Sequence, residues 1–105
     1  MVRRGDVVLV KLDPVQGSEQ GKTRPAVVIQ HDALNKHANT TIIVPITSTI
    51  YKKTYAMHVP FQDKTIKVEH IRAIDQERVV KTLGKVPKNT LEQIKQALLH
   101  VTDFY

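Results

Sequence analysis

A mainly β fold, a small barrel with one helix packed on it, is what this sequence predicts, and three observations carry that prediction. Short apolar and β-branched runs recur between turn signals built on Gly, Pro, Asp and Asn. A helical period comes late, where Ile94, Ala97, Leu98 and Val101 follow the i, i+3, i+4, i+7 rule. A chain of 105 residues builds about one core, so strands and helix share it and residues 1–105 read as a single domain.

Taken in order, Asp6-Val7-Val8-Leu9-Val10-Lys11-Leu12 is rich in β formers and stops at Asp13-Pro14, a first strand and its turn. The connection from Asp13 to Arg24 is long for a compact domain, and long connections are often lids or binding loops. Its Gly17 to Thr23 portion is polar, and Pro25 closes it against a second strand, Pro25 to Gln30, whose unbroken apolar run Ala26-Val27-Val28-Ile29 predicts burial on both faces. Residues His31 to Lys36 fit one helical turn with Asp32 near its start. The third strand, Thr40 to Thr47, is β-branched nearly throughout, with Pro45 near its end or at a bulge.

Tyr55 to Val59 reads as a fourth strand, and Gln62-Asp63-Lys64 turns the chain into a strand from Thr65 to Ile74. A period of two would place Lys67, Glu69 and Ile71 on one face of that strand and Val68, His70 and Arg72 on the other. Polar groups on both faces are unusual for a half-buried strand, and point to a site or interface. After a turn at Asp75 to Arg78, Val80 to Val86 gives a further strand, interrupted by Gly84. The terminal helix is expected to open on Asn89 as cap, with Glu92 reaching back to it.

With no Cys, the chain has no disulfide framework, thiolate metal site or cysteine nucleophile. The five histidines are scattered, none at the spacing of a metal-binding pair, so no metal and no cofactor are expected. No leader or membrane-length apolar run is visible, which leaves the cytoplasm as the expected location and no membrane partner. The net charge of +6 favours an anionic partner, a nucleic acid or an acidic protein tail. Because the basic excess is spread evenly along the chain, an anion-binding surface has to be assembled by folding or dimerisation.

Arg24 stands at the junction of a polar loop and a buried strand, where a rigid scaffold positions a group that still reaches a ligand. On local pattern alone it also reads as a solvated residue beside a strand, and Thr47 and Ser48 as ordinary strand-end hydroxyls. Five segments together say more: Arg4 to Val10, Asp13 to Gly21, Thr23-Arg24-Pro25-Ala26-Val27-Val28-Ile29, Val44-Pro45-Ile46-Thr47-Ser48, and Glu69-His70-Ile71-Arg72-Ala73-Ile74-Asp75. In that order, and covering almost the full chain, they resemble the MazF/PemK family of toxin endoribonucleases.

The resemblance implies an SH3-like β-barrel with a short helix and a C-terminal helix, a homodimer that cuts single-stranded RNA without metal and is held inactive by an antitoxin. It implies cleavage by the RNA 2′-oxygen, leaving a 2′,3′-cyclic phosphate and a 5′-hydroxyl. Such chemistry needs a base, a proton donor and donors for a crowded, negatively charged phosphorane. Arg24 matches the family's phosphate-binding arginine and Thr47 its catalytic threonine. Glu69 falls where some PemK-type members carry an acidic base, and Lys67 where they carry an arginine; a surface ion pair is the alternative. Ser18 stands where that branch has a histidine, and Glu19 in the same loop would order Arg24 or the RNA. Ser18, Gln20, Lys22, Ser48, Lys52 and Lys53 are the expected RNA-binding residues. Tyr51, Tyr55 and Phe61 have the chemistry to stack bases, or else to pack the core. Two other readings stay open: a CcdB-like gyrase poison that acts by binding protein, and a barrel that binds nucleic acid without cutting it. An antitoxin with an acidic, partly disordered segment is the protein partner that charge and resemblance imply together.

Overall fold

A computed structural model describes residues 1–12 and 23–103. The elements are β1 (Asp6–Lys11), β2 (Thr23–Val28), α1 (Asp32–His37), β3 (Thr40–Thr47), β4 (His58–Phe61), β5 (Lys64–Lys67), β6 (Arg72–Asp75), β7 (Val79–Lys85) and α2 (Lys88–Thr102). The strands form one antiparallel sheet in the order β4-β5-β3-β2-β1-β7, with β6 paired to β3.

Strand β3 is the centre of this arrangement. Opposite β2 it serves two partners, β6 along Thr40–Ile43 and β5 at Ile46 and Thr47. Val44 and Pro45 fall at the handover between them, and a residue without an N–H is tolerated where a ladder is interrupted. The strand runs from Thr40 to Thr47 as expected, and it changes partner beside Pro45.

Successive residues of β1, β2 and β3 enter two different cores. Val7, Val27 and Val44 pack with Ile46, Val59, Ile66, Val68, Ile94 and Ala97 in the cluster that includes α2. Val8, Val28 and Ile43 pack with Val2, Val10, Ala26 and Ile74 in the other. Burial on both faces is why these strands read as continuous apolar runs rather than alternating ones. Phe61 packs against the first cluster, so of its two expected roles it takes the core one.

Three local expectations need correction. The strand expected over Tyr55 to Val59 starts later, at His58, and runs to Phe61. The strand expected over Thr65 to Ile74 is two strands separated by a 3-10 turn at Val68–His70. β5 pairs with the end of β3 and β6 with its beginning, so the chain shifts along β3 between them, and the turn tucks Val68 into the core. Lys67 and Glu69 consequently do not share a strand face. Helix α2 starts at Lys88 with Pro87 as cap and no side-chain cap bond, not at Asn89; the Thr90 and Leu91 amides bond to the Pro87 carbonyl instead. Pro87 is itself extended, at φ −64° and ψ 160°, and the helix begins directly after it.

Gly5 has φ +94°, and a Cβ there would lie 3.3 Å from Leu91 Cδ1, so a side chain meets both a strained backbone and α2. Helix α1 has six residues, too few to persist alone. A buried polar network holds it. Thr41 Oγ1 and Gln30 Nε2 donate to Asn35 Oδ1 at 2.6 and 3.0 Å, while Asn35 Nδ2 donates to the Gln30 carbonyl at 2.9 Å. Asn35→Ala strands the Thr41 hydroxyl and one of the two N–H groups of the Gln30 amide, whose other bond goes to the Thr40 carbonyl, and is expected to cost about 2–3 kcal/mol. Leu34→Ala, at an exposed site on the same helix, is expected to stay within about 0.5 kcal/mol of wild type. Urea denaturation of both variants checks the contrast.

Candidate active site

Extending the β2–β3 register by two residues, from Ala26 opposite Pro45, brings Arg24 opposite Thr47 on one face. Both side chains line a cleft of about 470 Å³ at the mouth of the second core, with Val10 and Ile43 at its floor. Thr47 ends β3 and is half-buried, and Arg24 is exposed near the start of β2. The Thr47 hydroxyl accepts from the Thr49 amide at 3.2 Å and donates to Thr49 Oγ1 at 3.3 Å, a local turn that orients it.

Facing this pair, Lys67 from the end of β5, His70 from the 3-10 turn and Arg72 from the start of β6 complete the polar wall. The described lining thus brings together Arg24, Lys67 and Arg72, an imidazole and a hydroxyl, with no carboxylate. Cations converging on a half-apolar floor favour an anion, and a guanidinium with paired planar donors suits a phosphate. His70 and Arg72 were not singled out as site residues from the sequence. Their signal was present, though, in the polar groups on both faces of the segment they occupy.

Glu69 is turned away from this wall. Its Oε2 accepts from His58 Nε2 at 2.8 Å. The expected Lys67–Glu69 pairing on a shared face is thereby replaced by a Glu69–His58 pair and by Lys67 lying 5.8 Å over the Tyr51 ring. Ser48 follows Thr47 and is exposed; Lys52 and Lys53 are also exposed, in the β3–β4 connection, and neither lines the cleft. Ser18, Glu19, Gln20 and Lys22, with the whole Gly17 to Gly21 loop, lie outside the described residues.

Burial alone would raise the Glu69 pKa. The hydrogen bond from His58, a backbone hydrogen bond and the charges of His58 and Lys67 outweigh it and hold the carboxyl below its ordinary value of 4.5. A depressed folded-state pKa contributes stability that is present above the ordinary value and lost as the pH falls through the folded one. Thermal scans of wild type and Glu69→Gln are therefore expected to show a Tm gap at neutral pH that closes as the buffer is taken well below the ordinary glutamate range. A gap independent of pH would mean that the ionised carboxylate contributes nothing.

A family model described as the PemK-like, MazF-like toxin of type II toxin-antitoxin systems matches residues 3–102. Among solved structures, a MazE–MazF complex from Deinococcus radiodurans superposes with a TM-score of 0.84 at 25% identity, covering 99% of this chain and 97% of that one. MazF from the same organism, without MazE, gives 0.79 at 26% identity, with 97% and 96% covered. An endoribonuclease from a mycobacterial species gives 0.81 at 20% identity, with 97% and 91% covered, and shares the fold. The SH3-like barrel with a short helix and a C-terminal helix is therefore the MazF fold. Matched over nearly its whole length and folded as MazF is, the chain belongs to the PemK-like, MazF-like toxins of type II toxin-antitoxin systems.

Proposed function

We propose that this toxin is an endoribonuclease that cuts single-stranded RNA, chiefly messenger RNA, at a short sequence and without metal. The observation that carries the reading is the cleft in which Arg24 and Thr47 meet Lys67, His70 and Arg72. The 2′-oxygen attacks the adjacent phosphorus, the O2′–P bond forms as the P–O5′ bond breaks, and a 2′,3′-cyclic phosphate and a 5′-hydroxyl result. No protein nucleophile is needed, which suits a chain without Cys.

Arg24 offers paired N–H donors to the non-bridging oxygens, and Thr47 adds a hydroxyl donor as charge develops on the phosphorane. Lys67 and Arg72 supply further positive charge at close range. The 2′-hydroxyl must lose a proton and the leaving O5′ must gain one. His70 is the imidazole on the cleft wall and is the proton-transfer group in this reading, with Glu69 held by His58 instead of acting as base.

A net charge of +6 supports an acidic, partly disordered segment of a cognate antitoxin as the neutralising partner. A homodimer is part of the same reading. Val80 and Leu83 of the edge strand β7 are 55% and 50% exposed, apolar area that a second copy would cover. The single domain over residues 1–105 would act in the cytoplasm.

Purified toxin incubated with single-stranded RNA in EDTA is expected to generate fragments with 5′-hydroxyl ends, mapped by ligation sequencing. Arg24→Ala is expected to lower kcat/KM by about 10²–10³. Thr47→Val, which keeps the shape and removes the hydroxyl, is expected to lower it by a smaller factor. RNA left intact by wild type, or cut equally well by Arg24→Ala, rules the mechanism out.

A further inference from the structure

Beside the cleft just described lies a second one, of about 260 Å³, between the β3–β4 connection and the β4–β5 hairpin. Two of its walls are aromatic. The Tyr51 and Tyr55 rings stand edge to face, with centroids 6.1 Å apart and planes at 88°. His58 packs at 4.4 Å from Tyr51 and 5.2 Å from Tyr55, and its bond to Glu69 fixes the imidazole. Tyr55 is 40% exposed, although an aromatic ring with neighbours this close has apolar surface to bury.

The two clefts are neighbours by construction. Thr65 of β5 lines the second and pairs in the ladder with Thr47 of β3, which lines the first. Lys67 lines the first and lies over the Tyr51 ring of the second. A strand whose phosphate sits against Arg24 and Thr47 thus has its next nucleotide beside Tyr51 and Tyr55. Lys53 and Lys64, on the rim, are placed to meet the backbone charge that follows.

The third wall is the two-residue turn Gln62-Asp63, which joins β4 to β5 beyond the Phe61–Lys64 pair. Gln62 has φ +56°, a left-handed conformation in which Gly or Asn is ordinary and Gln is not. Hairpin geometry alone gives no reason for a long amide at that position; a side chain that faces a ligand does. A carboxamide presents a donor and an acceptor side by side, and the adjacent Asp63 carboxylate accepts from amino groups.

We propose that this second cleft is a nucleobase subsite next to the scissile phosphate, in which Tyr51 and Tyr55 stack the base and Gln62 selects it. The proposal rests on the endoribonuclease reading. The Gln62 carbonyl and the Asp63 carboxylate both accept from amino groups, which fits a base that carries an exocyclic amino group and disfavours uracil, which has none.

The test profiles cleavage of a randomised single-stranded RNA pool by wild type, Tyr55→Ala, Gln62→Ala and Gln62→Gly. Tyr55→Ala is expected to lose about tenfold in kcat/KM on the preferred sequence. Gln62→Ala is expected to flatten the preference at one position adjoining the cut and to leave the others as they are. Gln62→Gly should flatten the same position while raising Tm by relieving the left-handed backbone, which separates selection from folding. Unchanged preference at every position in both Gln62 variants overturns the proposal.

A second arm titrates an oligonucleotide carrying 2′-deoxy sugars throughout, which cannot undergo 2′-oxygen attack. Weaker binding by Tyr55→Ala than by wild type supports the subsite, and equal binding overturns it. Wild type that binds this oligonucleotide but cuts no RNA defeats the endoribonuclease reading and leaves the subsite standing.

Discussion

The rest of the structure depends on the pairing of β3, a strand buried on both faces and divided between two partners on one edge. Because β6 takes Thr40–Ile43 and β5 takes Ile46 and Thr47, the sheet opens around Val44 and Pro45. That opening lets Thr47, Lys67, His70 and Arg72 converge although they come from four different segments. Arg24 joins them because β2 lies on the other edge of β3 in a register that is fixed by the two-sided burial of Ala26, Val27 and Val28. A one-residue slip of β2 would send Arg24 to the opposite face and exchange the residues that fill the two cores, so core packing and site geometry are one constraint.

Rigidity of the supporting elements follows from the same economy of small parts. Helix α1 is too short to hold itself, yet Asn35, Thr41 and Gln30 satisfy one another in the interior, and Gln76 Nε2 adds bonds to the Asn35 and Ala38 carbonyls at 2.8 and 3.0 Å. These bonds tie α1 to the start of β3 and to the turn that follows β6. A fully satisfied polar network in a low-dielectric interior specifies one arrangement more sharply than an apolar contact of similar size.

Much of this was legible in the sequence, and the gaps have physical causes. β1, β2 and β3 could be placed because two-sided burial leaves unbroken Val and Ile runs that no solvent-exposed segment imitates. Arg24 and Thr47 could be named because their flanking segments carry the family pattern. The break at Val68–His70 could not be read, since Lys67-Val68-Glu69-His70 alternates as a strand does and only the need to shift along β3 bends it. The Glu69–His58 contact was equally hidden. It joins the first residue of β4 to the 3-10 turn after β5, and His58 carries no local signal beyond a weak β pattern.

The pairing of β7 with β1 is irregular, with register shifts between Val7 and Val8 and between Leu9 and Val10. Such bulges bend a strand and sharpen its twist. At the rim of an open sheet, a bent strand is a poor template for another backbone, so the shifts guard against edge-to-edge stacking and fibre growth. For a protein made to be held in check by a partner, resistance to open-ended stacking along this edge is a property that the sheet itself favours.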